Sequence, residues 1–168
     1  MKFFLIGLPG SGKTTLGQQL AEKLHLPFID LDAEIEKKEG ESVQTIFAQK
    51  GEEYFRRRET EVLKPLIQNQ VSFVMATGGG TPCFFNNMEL MNQSGKTIFL
   101  DMPASEITLR LQQTNLNERP LFARLSTEQL KDKIEFLRTH RFPFYKQAQF
   151  VFSTKEISPE EIIEKIKV

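Results

Sequence analysis

The chain has 168 residues, with 22 basic and 22 acidic side chains and a formal net charge of zero. That length suits one domain over residues 1–168, able to bury about 70% of its extended surface, and the balanced charge excludes a global field that would draw nucleic acid or anionic lipid. The only cysteine, Cys83, cannot pair within the chain and fits a reducing compartment; no run approaches the roughly 18 apolar residues of a membrane span, so a cytoplasmic, soluble protein is expected.

The apolar run Phe3 to Ile6 leads straight into Gly7-Leu8-Pro9-Gly10-Ser11-Gly12-Lys13-Thr14. This is G-x-x-x-x-G-K-[ST], a loop that cradles phosphate with backbone N–H groups converging at a helix N-terminus. The flanks fit: a short strand enters, and Leu16, Leu20 and Leu24 mark one face of a helix that leaves. In such a loop the lysine reaches the β- and γ-phosphates and the next hydroxyl holds Mg²⁺, which assigns those roles to Lys13 and Thr14 and implies ATP with magnesium.

A second strand is expected over Phe28 to Leu31. Asp30 and Asp32 straddle Leu31, so an extended backbone would point both carboxylates the same way, past the strand end where ligand clefts of open α/β sheets lie. One carboxylate can serve a hydrated metal while its neighbour accepts a hydrogen bond from an acceptor hydroxyl; the plainer reading makes one of them a helix N-cap. The run Val71 to Ala76 feeds Thr77-Gly78-Gly79-Gly80-Thr81. Three glycines in succession suit a backbone that approaches a ligand closely, or else a flexible turn.

A fourth run, Thr97 to Leu100, ends at Asp101, which is either a further acid for the metal or a turn residue. Residues 114–124 are polar and without period, and hold Arg119-Pro120, as in a mobile flap or an ordinary surface loop. Ser126-x-x-Gln129 and Ser158-Pro159-Glu160-Glu161 are capping-box signatures. Phe150 to Phe152 is a fifth apolar run. Five such runs separated by helix-period segments argue for a layered parallel α/β fold. Phe55-Arg56 and Arg141-Phe142-Pro143-Phe144-Tyr145 set guanidinium groups beside aromatic rings, suited to forked recognition of a carboxylate. Arg57, Arg58 and Arg138 read as solvated helix residues.

Taken in order, the phosphate loop, Asp30-x-Asp32, Phe55-Arg56-x-x-Glu59, Gly78-Gly79-Gly80, Arg119-Pro120-Leu121 and Arg141-x-x-x-Tyr145 resemble the shikimate kinase family over nearly the whole chain. The resemblance implies the fold of the nucleoside monophosphate kinases: α/β, three-layer α/β/α, a five-stranded parallel sheet in the order 2-3-1-4-5, and a lid at about residues 112–124. It implies transfer of the γ-phosphoryl group of ATP to the 3-hydroxyl of shikimate, with Mg²⁺ as cofactor, and one complete site per chain makes a monomer sufficient. By matched position Gly10, Ser11, Gly12, Lys13, Thr14, Thr15 and Arg119 would bind the nucleotide, with Arg110 at its flank. Asp32 would hold the acceptor hydroxyls, Asp30 and Thr14 would support the metal, and Arg56, Gly79, Gly80 and Arg141 would bind shikimate. Lys13, Asp32 and Arg119 would be catalytic. The chain departs from the pattern at Leu31, where a small hydroxyl residue is common, and in a glutamine-rich lid. Another small-molecule kinase of the same fold, such as a gluconate or nucleotide kinase, and a nucleotide-dependent switch are the alternatives.

Overall fold

Five parallel strands and seven α-helices alternate along residues 1–116, 119–153 and 157–167, which a computed structural model describes. The order is β1 (Lys2–Ile6), α1 (Lys13–Leu24), β2 (Phe28–Asp30), α2 (Leu31–Glu39), α3 (Val43–Gln68), β3 (Phe73–Ala76), α4 (Asn87–Ser94), β4 (Lys96–Leu100), α5 (Ala104–Gln112), α6 (Thr127–Tyr145), β5 (Phe150–Phe152) and α7 (Pro159–Ile166). The sheet runs β2-β3-β1-β4-β5, as the resemblance implies.

The two faces of the sheet carry separate cores. Phe3 and Leu5 of β1 pack with Leu16 and Leu20 of α1 and Ile162 and Ile166 of α7. Phe4 and Ile6 point the other way, into a larger cluster built from α2 to α6. That alternation makes β1 apolar throughout, and it is what a strand covered on both sides requires. Pairing of Leu5 with Ala76, Asp30 with Ala76 and Ile6 with Phe99 brings the carboxyl ends of the strands level. The loops after β1, β2 and β3 therefore open on one edge, where the strand order reverses and ligand crevices form.

Three local features differ from the sequence reading. Leu31 does not extend the second strand; it opens α2, with Asp30 as N-cap, because the Asp30 carboxylate accepts the N–H groups of Asp32 and Ala33 and so terminates the strand. The third strand starts at Phe73, since Val71 lies outside the sheet and is exposed. Asp101 and Arg138 pair with each other across 2.9 Å, so Arg138 is not merely solvated and Asp101 spends its charge on α6. Both capping boxes form. Among the described residues no helix is long and apolar enough to cross a membrane.

Candidate active site

The phosphate loop is tied together by its own lysine. Gly10 and Gly12 take φ of 83° and 91°, a region costly for any side chain but open to glycine. Lys13 follows at the first position of α1, and its Nζ donates to the carbonyls of Gly7 (3.0 Å) and Leu8 (2.9 Å). Burial lowers its ammonium from 10.5 to about 8, opposed by the Asp32 charge. Beside it Ser11 Oγ is buried without a partner. A buried hydroxyl among backbone N–H groups at a helix N-terminus is placed to bond a phosphate oxygen.

Thr14, exposed on the first turn of α1, donates through Oγ1 to Asp30 Oδ2 at 3.1 Å. The cap of α2 and the hydroxyl beside the phosphate loop thus meet. Among the described residues no cluster of three or more His, Cys, Asp or Glu side chains is arranged to hold a metal. A hydroxyl, one carboxylate and water, completed by nucleotide phosphates, is the donor set that suits Mg²⁺ rather than zinc. The residues present therefore fit that ion.

Asp32 is the second residue of α2 rather than part of an extended strand. Its Oδ1 is sealed from solvent and has no hydrogen-bond partner. Burial, then the nearby Glu59 and Asp30 charges, push the Asp32 carboxyl up from 3.8 to about 7, against the pull of Lys13 and Arg56. A carboxylate whose proton affinity is set near neutrality is suited to take a proton from an alcohol.

The three glycines after β3 are explained by what each backbone unit touches. A methyl built on Gly78 would lie 2.7 Å from Glu59 Oε1, 3.0 Å from Thr81 Oγ1 and 3.1 Å from Asp32 Oδ1. On Gly79 it would meet Pro9 Cδ at 2.7 Å and Arg141 Nη1 at 2.9 Å, and on Gly80 the Arg56 guanidinium, with Nη1 at 2.5 Å. The loop is therefore a floor on which two arginines and two carboxylates rest, and side chains would evict them.

Arg56 projects from α3 and is 4% exposed. Its Nη1 pairs with Glu59 Oε2 at 3.1 Å and its Nη2 with Glu52 Oε1 at 3.1 Å, while the guanidinium lies 4.8 Å from the Phe84 ring centroid and 5.2 Å from that of Phe55. Glu59 is wholly buried, and Thr81 donates to its other oxygen. Sequence reading quoted Glu59 within a motif and gave it no task. Its three-residue spacing from Arg56 on one helix face was the available signal. Arg141, from α6, is 7% exposed, and its Nη1 is buried without a partner. Glu39, at the end of α2, accepts from Tyr54 (2.8 Å) and Arg58 (2.6 Å) of α3, which ties the helix bearing Asp32 to the helix bearing Arg56.

Two clefts result, and they share a wall. One, of about 350 Å³, follows the phosphate loop with Lys13, Thr14 and Thr15. The other, of about 550 Å³, is lined by Phe47, Phe55, Arg56, Gly80 and Arg141. Pro9, Thr14, Asp30, Asp32, Gly78, Gly79 and Arg119 line both. A third hollow of about 640 Å³, with Gln19, Met102, Arg110 and Ile157, lies beyond the loop and suits the nucleoside. Every residue assigned to the site from sequence is thereby gathered at one edge of the sheet. Of the lid, Phe122 is buried and Arg119 faces both clefts, while Asn117 and Glu118 lie outside the described residues.

A parallel sheet with a phosphate loop at its switch point, joined to a pocket of carboxylates and guanidinium groups, defines a P-loop kinase of a small anionic acceptor. The shikimate kinase family model matches residues 9–168. A shikimate kinase from Azobacteroides pseudotrichonymphae is 45% identical over 98% of this chain and 96% of its own. The crystal structure of shikimate kinase from Bacteroides thetaiotaomicron superposes with a TM-score of 0.93, at 37% identity over 100% of this chain and 99% of the other. That of the Acinetobacter baumannii enzyme in complex with shikimate gives 0.84 at 37% identity, over 99% and 90%. The chain belongs to the shikimate kinase family.

Proposed function

We propose that the protein transfers the γ-phosphoryl group of ATP to the 3-hydroxyl of shikimate, giving shikimate 3-phosphate and ADP on the way to aromatic amino acids. The observation that carries this reading is the shared wall: Asp32 and Arg119 face the phosphate cleft and the acceptor cleft at once. An acceptor resting against that wall is within reach of a nucleotide held by the loop, and alignment is the larger part of catalysis in phosphoryl transfer.

Arg56 and Arg141 take the acceptor carboxylate, and Arg141 Nη1 supplies a donor otherwise left unpaired. Asp32 Oδ1 receives the proton of the 3-hydroxyl as its oxygen bonds to the γ-phosphorus and the bond to the β–γ bridging oxygen breaks. Lys13 and Arg119 offset the charge spread over the transferring oxygens. Thr14 and Asp30 would hold Mg²⁺, which would supply positive charge to the β- and γ-phosphates. One chain supplies both clefts, which supports a monomer as the working unit, and a biosynthetic step that consumes ATP supports a cytoplasmic location. The test is ADP release from ATP and Mg²⁺ with shikimate, gluconate or nucleoside monophosphates added singly. Stimulation by shikimate alone is expected; stimulation by another acceptor alone would replace it in this reading, and nucleotide binding without turnover would favour a switch.

A further inference from the structure

The Arg141-x-x-x-Tyr145 pair leaves one member without a task. Tyr145 is the last residue of α6, one helical turn beyond Arg141, and is 1% exposed. A buried phenol demands a partner for its hydroxyl, and this one donates to the carbonyl of Gly79 at 2.5 Å. The ring is seated on Phe99 of β4, with centroids 5.1 Å apart. Burial raises the phenol far above its ordinary range, so the hydroxyl keeps its proton and remains a donor.

The carbonyl it holds is the critical one. Gly79 is wedged between Pro9 of the phosphate loop and Nη1 of Arg141, with no room for a methyl against either. Arg141 Nη1 is buried without a hydrogen-bond partner, and the Tyr145 phenol lies near enough to the guanidinium to feel it directly. The placement of the guanidinium depends on the glycine backbone it rests against and on the helix that carries it. Tyr145 joins those two supports: the same turn of α6 that projects Arg141 reaches over to pin the backbone beneath it.

Resting on the acceptor assignment above, we propose that Tyr145 is a positioning residue for acceptor recognition, its hydroxyl locking the Gly79 peptide against α6 so that Arg141 is preformed to meet the acceptor carboxylate. Tyr145 lines neither the phosphate cleft nor the acceptor cleft. A tyrosine serves because its rigid ring spans from helix to loop with only two rotatable bonds, and its buried hydrogen bond costs most when the acceptor carbonyl is left unmade.

The experiment is steady-state kinetics and calorimetric shikimate binding on Tyr145→Phe, with Phe99→Leu as a packing control. Removing the hydroxyl should raise the KM and Kd for shikimate about tenfold, leave the KM for ATP within twofold and lower kcat by less than about threefold. Phe99→Leu should reduce the melting temperature while leaving the KM for shikimate within twofold. Binding titration counts folded molecules only, so partial unfolding of a variant does not mimic the effect. An unchanged shikimate KM in Tyr145→Phe, equal losses for both substrates, or an equal rise in Phe99→Leu would each overturn the proposal. A wild-type chain inert to shikimate would sink the acceptor assignment and this proposal with it; an active wild type with an unaltered variant would sink this proposal alone.

Discussion

Replacing Asp32 by asparagine should stabilise the ligand-free protein while removing its activity. The Asp32 carboxyl is raised from 3.8 to about 7, chiefly by burial and then by Glu59 and Asp30. Each tenfold change in proton affinity is worth about 1.4 kcal/mol, so that displacement corresponds to about 4 kcal/mol. This is an upper bound, because part of the residue opens on the cleft, where solvent screens it. The sign follows from the protons bound. Between about pH 4 and pH 7 the folded chain holds the proton that the unfolded chain has lost, so stability falls as pH rises, and the whole penalty is present above pH 7. Asparagine has the shape of the neutral acid and carries no such penalty. Melting temperatures of the two proteins should therefore coincide near pH 4 and separate towards pH 8. At about 2–4 °C per kcal/mol for a chain of this size, the gap should reach at most about 8–16 °C. Calorimetry of ligand-free protein at five values of pH measures it, and an ADP-release assay at pH 8 should show kcat reduced at least about 10²-fold. A gap that is absent at pH 8, or that does not change with pH, would refute the burial argument for Asp32.

Gly80→Ala should act on Arg56 without touching it. The new methyl would lie 2.5 Å from Nη1 and must drive the guanidinium about 1 Å outward to reach ordinary contact; acceptor KM should rise about 10²-fold with ATP KM nearly unchanged, as kinetics in each substrate will tell. Arg119→Ala should lower kcat about 10³-fold with little change in either KM, if this arginine stabilises charge on the transferring group; a near-normal kcat removes it from catalysis. Asp30→Asn keeps the side-chain oxygen that caps α2, so the melting temperature should move by no more than a few degrees, whereas the Mg²⁺ concentration for half-maximal rate should rise about tenfold or more. An unaltered Mg²⁺ titration would free Asp30 from the metal.

The sheet was legible because its signal is local and repeated: five apolar runs, each too short for a helix, each followed by a helix-period segment. The phosphate loop was legible because backbone geometry forces its glycines. What escaped depends on pairings across the fold. Asp30 and Asp32 were read as neighbours on an extended strand, but the Asp30 carboxylate satisfies two N–H groups of the next turn and so starts a helix at Leu31, a competition between capping and extension that letter spacing leaves undecided. Asp101 and Arg138 lie 37 residues apart and find each other only once α6 packs beside β4. Glu59 has no task in the sequence reading, and an acid inside a helix is usually solvated; that it is wholly buried follows from Arg56 on its own helix and from Thr81 and the absent side chain of Gly78 in the loop after β3.

The distribution of unmet polar groups ties the site to the fold. Among the described residues five buried side-chain atoms lack a hydrogen-bond partner. Three of them, Ser11 Oγ, Asp32 Oδ1 and Arg141 Nη1, belong to the phosphate loop, the hydroxyl acceptor and the carboxylate grip. Of the other two, Glu41 Oε2 lies 3.1 Å from Lys50 Nζ and so has a counter-charge, and Asn87 Oδ1 belongs to the start of α4. An unsatisfied buried group costs about 1–3 kcal/mol, and burial, joined at Asp32 by the Glu59 and Asp30 charges, displaces the Asp32 and Glu59 carboxyls upward. A chain folding for stability alone would not concentrate these costs at one sheet edge. They are offset by the cores on either face, and these three atoms are the ones that a phosphate, an alcohol and a carboxylate would pair with. That is why Asp32, the most frustrated of the three, is the position where a gain in stability and a loss of function should coincide most sharply.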